Sequence, residues 1–229
     1  GYRVIVITEA KTENEYELPQ NITRYCLDSF DGLPKDEKIE CCTERMEKLH
    51  DIIRAEKIDL FINHQWLNDF LLWDLLTVKF SDALYCIHCH SIFSVPLIEK
   101  GMLNSYKIMP EVYSLADGVV TLSDVDQYYW RHYNHSVYKV FNPLPFEKIA
   151  STPKSLNNHT ILWIGRISPE KRLQDLIDTM RRVVSFIPDA KLVLVGGGNQ
   201  EAETELRNHV HQNTLDDHFE ARDFEALFR

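Results

Sequence analysis

Short apolar runs of strand character alternate along this chain with segments whose apolar residues recur at helical spacing, and that alternation constrains the fold more than any other feature. Residues 3–8, 22–27, 59–63, 83–88, 118–122, 137–141, 161–164 and 191–195 read as strands. Between them, Met46, Leu49, Ile52 and Ile53 mark one face of a helix that ends near Glu56. Further helices are expected over 66–79, in a region ending near Ala116, and over 124–133 and 201–212. Strand, helix and strand in that order produce a parallel sheet with crossover helices, so the class is α/β.

The stretch 142–159 interrupts the pattern with three prolines, two neighbouring asparagines and little apolar periodicity after Ile149. It is the best linker in the chain. A boundary there gives two lobes, 1–145 and 146–229, and 229 residues suffice for one large or two small domains. With 44% hydrophobic residues, each lobe has the material for a core.

The second lobe opens on Ile161-Leu-Trp-Ile-Gly-Arg-Ile-Ser-Pro-Glu-Lys-Arg172. Gly165 ends the strand, Ser168 suits a helix cap and Pro169 suits the first helical position, so the spacing predicts a helix from Pro169. Leu173, Leu176, Ile177, Met180 and Val184 then form its buried face. That start places Lys171 in the first turn with Arg166 just before it. Cations at a helix amino terminus face free N–H groups and the positive end of the macrodipole, and an anion relieves that arrangement. Arg166 also stands at the carboxyl end of a strand, where open α/β sheets bind ligands, and its planar fork suits a diphosphate. The site reads as a phosphate site, against the alternative that Glu170 compensates and both cations point into water.

Gly165-Arg166-Ile167-Ser168-Pro169-Glu170-Lys171, the amphipathic helix, Pro188-Asp189-Ala190-Lys191 and Leu192-Val-Leu-Val-Gly-Gly-Gly198 follow one another in an order that resembles the donor lobe of retaining glycosyltransferases of family 4. The resemblance implies the GT-B fold: two Rossmann-like parallel α/β lobes, here both incomplete. It makes 1–145 a partial acceptor-side lobe and 146–229 a partial nucleotide-sugar lobe. It also implies that Arg166 and Lys171, with Gly165, hold the diphosphate of the donor. The family's first strand with its glycine-rich turn and its later acidic motif have no counterpart in this sequence, so the expectation is a fragment of the family's pattern.

Histidines need separate weighing. Cys86-Ile87-His88-Cys89-His90 satisfies the Cys-x-x-Cys-His pattern of haem attachment, but it lies on a strand in a chain with no targeting segment, so haem is rejected. Zinc is set aside because Cys86, His88 and His90 share one strand face while Cys89 points away, leaving too few convergent ligands locally. In the resembled family a His at this strand end lies beside the reacting sugar. His90, followed by Ser91, fits that role best and His88 second, against the alternative of histidines satisfied by nearby backbone. Ser123 reads either as a cleft-lining residue or as a helix cap. Asn142-Pro143 reads as a hinge or an ordinary turn. Gly196-Gly197-Gly198 lacks the third glycine of a dinucleotide fingerprint, so it reads as a tight turn near the nucleotide. The apolar helix carrying Trp66, Phe70, Leu71, Leu72, Trp73, Leu75 and Leu76 reads as buried, since Asp69 and Asp74 replace the basic face of a membrane-surface helix.

Thirty-five acidic against 25 basic residues give a net charge of −10, which argues against nucleic acid as a partner. Five cysteines, an odd number, read as free thiols of a reducing compartment, and no apolar run reaches the roughly 18 residues of a membrane span. A cytoplasmic protein is expected, with peripheral association at the inner membrane face left open. The resulting expectation is a hexosyltransferase-type retaining enzyme that moves a sugar from a nucleoside-diphosphate sugar to a glycan or lipid-linked acceptor in polysaccharide or glycoconjugate synthesis. Fixed cations stabilise the leaving diphosphate, with no cofactor and no metal required. The alternatives are a non-catalytic module that only binds a nucleotide diphosphate, and a nucleotide-sugar epimerase of the same fold.

Overall fold

The computed structural model describes residues 1–9, 17–27, 38–64, 70–95, 103–143 and 158–223, with the side chains of 38–41 and 103–106 left aside. The chain divides into two compact units, Gly1–Pro145 and Phe146–Arg229.

In the first unit, β1 (Ile5–Thr8) and β2 (Thr23–Cys26) form a parallel pair. A second sheet has the order β3 (Leu60–Asn63), β4 (Leu84–His88), β5 (Gly118–Thr121), β6 (Val137–Lys139), all parallel. The helices are α1 (Lys38–Glu56), α2 (Leu71–Phe80), α3 (Leu103–Leu115) and α4 (Asp124–Trp130). Alternation along β4 explains where the core sits. Tyr85, Ile87 and Cys89 are buried with Leu49 and Ile53 of α1, Leu75 and Val78 of α2, Met109, Val112 and Tyr113 of α3, and Trp130 of α4. Cys86, His88 and His90 take the other face. Trp130 stacks on Tyr113 with ring centroids 4.0 Å apart.

The apolar helix lies against this core, as Phe70, Leu71, Leu75 and Val78 show, while Leu72 and Trp73 are partly exposed. Trp66 and Asp69 fall outside the described residues. Asp74 departs from the sequence reading: it is 2% exposed, not on a polar face, because Arg45 of α1 reaches it with Nε and Nη2, each at 2.8 Å. The same guanidinium binds Glu9 at the end of β1 and lies over the Phe70 ring. One buried cation thus ties β1, α1 and α2. Among the described residues no helix is long and apolar enough to cross a membrane. Cys86 and Cys89 are free thiols.

The second unit is a three-stranded parallel sheet, β7 (Thr160–Ile164), β8 (Lys191–Val195), β9 (Phe219–Arg222), with α5 (Leu173–Phe186) and α6 (Gln200–Gln212) packed on it. Its core joins Leu192 and Leu194 to Ile177, Met180, Leu206 and Val210. Ala190 and the residues around it were expected to turn into β8, and Ala190 is buried at that entry.

Two corrections concern this unit. The helix begins at Leu173, not Pro169. Pro169–Lys171 form a 3-10 turn closed by Lys171 N–H to Ser168 O at 3.0 Å and Arg172 N–H to Pro169 O at 3.1 Å, and Arg172 then takes a left-handed conformation, φ 50°, that separates the turn from the helix. Ser168 makes no side-chain cap bond; its hydroxyl donates to Glu170 Oε1 at 2.6 Å. The second correction is β9, which the sequence reading passed over because Phe-Glu-Ala-Arg has no strand pattern of its own. Its pairing with β8, from Leu192–Phe219 to Val195–Arg222, makes it a strand.

Candidate functional site

The carboxyl ends of β7, β8 and β9 converge in the second unit. After β7 the chain continues in extended form beside the glycine run that follows β8. Gly165 N–H donates to Val195 O at 3.0 Å, Ile167 N–H donates to Gly197 O at 2.9 Å, and Ile167 bridges Gly198. Glycine is required by this contact. Gly196 has φ +142°, and a Cβ there would lie 1.9 Å from Gly165 O; a Cβ at Gly198 would lie 2.5 Å from Ile167 O. The run was expected to act as a tight turn, and its observed work is close approach of two backbone segments. Beyond it, Ile167, Gly196, Glu203, Leu206, Arg207, Phe219 and Arg222 line a small recess at the carboxyl edge of the sheet, the edge at which such folds bind ligands. Glu203 holds the rim by accepting Gly198 N–H at 3.0 Å.

Arg166 and Lys171 stand on the segment leaving this edge, both exposed. The Arg166 side chain keeps 82% of its surface and touches Glu170 Oε1 at only 3.5 Å, a contact too long to hold the fork. The Ser168 hydroxyl, with Arg166 and Lys171 nearby, keeps the Glu170 carboxyl below its ordinary range. Arg166 thus precedes the 3-10 turn and Lys171 closes it, with the Glu170 carboxylate between them in sequence and in long contact with Arg166. This differs from the expected helix terminus: α5 begins only after Arg172, so the helix macrodipole does not act on Lys171 as supposed. Arg172 is engaged by Asp175.

In the first unit, β4 ends at His88, and His90 follows on the same face. The structure adds a residue that sequence reasoning missed. His64, directly after β3, lies against both, stacked on His90 and tilted to His88: ring centroids are 5.0 Å from His64 to His88, 5.2 Å from His64 to His90 and 4.3 Å from His88 to His90. His64 Nδ1 and His90 Nε2 share a hydrogen bond of 2.8 Å. Burial, then the His90 charge, hold the His64 imidazole below its usual value, and burial with His90 and His64 does the same to His88. Cys89 turns away into the core, where its Sγ lies 3.4 Å from the Tyr113 hydroxyl and burial pushes the thiol up to about 12.

The loop after His90 is fixed by Asp126. Phe93 N–H donates to its Oδ1 at 2.8 Å, the Ser123 hydroxyl donates to its other oxygen, and Asp126 N–H donates to Ser123 Oγ at 3.1 Å. Ser123 is thus the cap of α4. Asp124-Val125-Asp126 is an Asp-x-Asp triplet, yet its two carboxylates are committed separately, Asp124 to Lys139 and Asp126 to this cap.

A family profile described as glycosyl transferases group 1 matches residues 146–221, the whole of the second described sheet except its last residue. No curated protein matches the chain. Among solved structures, Anabaena Alr3699/HepE in complex with UDP and glucose superposes with a TM-score of 0.63 at 16% identity, over 89% of this chain and 56% of that one. The apo form of the lipopolysaccharide outer core galactosyltransferase WaaB gives 0.60 at 15%, over 90% and 54%. A glycosyltransferase from Rickettsia africae ESF-5 gives 0.61 at 14%, over 89% and 55%. The fold is that of the GT-B glycosyltransferases. The chain spans about half the length of these structures. Within that GT-B frame the second unit is the part that the family profile covers, and Arg166, Lys171 and the recess all lie in it.

Proposed function

We propose that the chain is part of a retaining glycosyltransferase that moves a hexose from a nucleoside-diphosphate sugar to a glycan or lipid-linked acceptor. The observation that carries this reading is the pair of exposed cations, Arg166 and Lys171, on the segment leaving the carboxyl edge of a profile-matched sheet, beside a recess formed by close glycine packing. The Anabaena neighbour was solved with UDP and glucose, which makes UDP the natural probe for this chain.

In the proposed reaction the bond from the anomeric carbon to the diphosphate breaks, and negative charge grows on the leaving oxygen. Fixed positive groups aimed there lower the barrier. Arg166 offers a planar fork for two phosphate oxygens and Lys171 a compact point charge. Since Arg166 is held by Glu170 only at 3.5 Å, engaging a diphosphate costs it little. Gly165 keeps the turn free of a side chain that would meet Trp163 at 2.9 Å. His90, with His88 second, is assigned to the sugar-transfer chemistry of the first unit. In this reading the transfer step itself uses no cofactor and no metal, and the protein works in the cytoplasm.

The test is incubation of the full chain with UDP-glucose and UDP-galactose, reading UDP release by a coupled assay and the anomer of the product by NMR. Release with retention of configuration is the expected result. Binding of UDP with no turnover of any nucleotide sugar supports the other reading, a module that holds the nucleotide without transfer, and inverted product contradicts the retaining mechanism.

A further inference from the structure

We propose that His64, His88 and His90 form a site for a divalent transition-metal ion, zinc foremost, with a fourth position left for an oxygen ligand such as water. The placement follows from strand register. β3 and β4 are parallel with Asn63 opposite Ile87, so the next step along both strands brings His64 opposite His88. The two-residue period of extended chain then puts His90 on the same face as His88. Three imidazoles meet at one sheet edge although they are 24 and 2 residues apart in the chain.

One ring nitrogen from each histidine lies within 4.8 Å of the others. Metal–nitrogen bonds of about 2.1 Å at a tetrahedral angle bring ligand atoms to about 3.4 Å, so side-chain rotations of about an ångström complete the set. His64 and His90 are exposed, which leaves those rings room to rotate and an ion a way in.

A second observation points the same way. His88 Nε2 is buried and has no hydrogen-bond partner among the described residues. Leaving such an atom unmet is unfavourable, and a metal bond meets it.

The tautomers agree. Imidazole ligates in its neutral form, through the ring nitrogen that carries no proton. The proton between His64 Nδ1 and His90 Nε2 need only move to the far nitrogen of the ring that carries it, because each neutral ring has one donor and one acceptor. Three nitrogen ligands without thiolate or carboxylate suit zinc or its neighbours better than magnesium or calcium, which prefer oxygen. Cys89 points away into the core, as strand alternation predicts, and His64, brought alongside by the β3–β4 register, supplies the ligand that β4 alone lacks.

This inference gives His88 and His90 metal ligation in place of the sugar contact proposed above, and its test reads metal binding alone, whatever the outcome of the transfer assay. Chelator-stripped full chain is titrated with Zn2+ in competition with a chromogenic chelator, and separately with Co2+ while visible absorption is recorded. One equivalent of tight binding and the intense visible bands of a tetrahedral cobalt centre are expected. His64→Ala and His88→Ala should each weaken zinc binding by about 100-fold or more, estimated from loss of one of three ligands, with unchanged far-UV circular dichroism. His211→Ala, an exposed histidine of α6, should leave it unchanged. Absence of stoichiometric binding in the unsubstituted chain overturns the proposal, as does binding that survives both His64→Ala and His88→Ala. The first outcome needs no variant, so misfolding of a substituted chain does not shield the idea.

Discussion

Gly196 shows how much one residue can carry. Its φ of +142° is open to glycine and strained for any other side chain, and a Cβ there would sit 1.9 Å from Gly165 O. Gly196→Ala is therefore expected to lower the unfolding free energy of the second unit by about 2 kcal/mol or more, read by urea unfolding. Loss of nucleotide binding should accompany it, because the strand ends that form the recess must separate. Arg45 is the counterpart in the first unit. Arg45→Met leaves the Asp74 carboxylate buried without its cation, which costs about 3–5 kcal/mol, whereas Arg45→Met with Asp74→Leu should recover most of the loss. The same unfolding experiment reads both, and equal losses for the single and double variants would contradict the pairing. At this scale the sequence disclosed Arg166 and His90 just past strand ends, His88 at one, and Lys171 in the expected first turn of a helix. His64 follows a strand as well. It went unread because a single histidine carries no spacing signal, and only the β3–β4 register shows that it faces His88.

At the scale of elements, Asp117 joins the turn before β5 to the start of β4, accepting Tyr85 N–H at 2.8 Å and Lys79 Nζ at 2.6 Å. Burial pushes its carboxyl up, but the Lys79 ammonium and the Tyr85 N–H together hold it below the ordinary carboxylate value. A carboxyl depressed in the folded state binds its proton less tightly there than in the unfolded chain. Its stabilisation is full above the unfolded value of about 3.9 and is lost as pH falls through the folded value. Urea unfolding at neutral and at acid pH should show a larger acid loss for the unsubstituted chain than for Asp117→Asn; equal losses would refute the assignment. The elements themselves were largely legible. Strands 60–63, 84–88, 118–121 and 191–195 are apolar runs bounded by polar or turn residues, and α1 and α5 show their apolar stripes in the sequence. What escaped was decided by partners or by one dihedral angle. β9 is a strand because β8 supplies its hydrogen bonds, and α5 starts late because Arg172 takes a left-handed turn that Ser-Pro-Glu spacing does not announce.

For the molecule as a whole, two parallel α/β units with a GT-B fold carry a net charge of −10. Such a chain repels anionic ligands at long range, so a nucleotide diphosphate must be met by local cations. The cations proposed for that role are Arg166, on the segment between β7 and the 3-10 turn, and Lys171, the last residue of that turn, and not a helix terminus as the sequence suggested. The most direct measurement is the affinity of UDP for the unsubstituted chain and for Arg166→Ala/Lys171→Ala by isothermal titration calorimetry. Charge-assisted contacts of about 1.5–3 kcal/mol each predict that the double variant binds at least about 100-fold more weakly, with its folding intact. An unchanged affinity would contradict the assignment of the diphosphate to this turn.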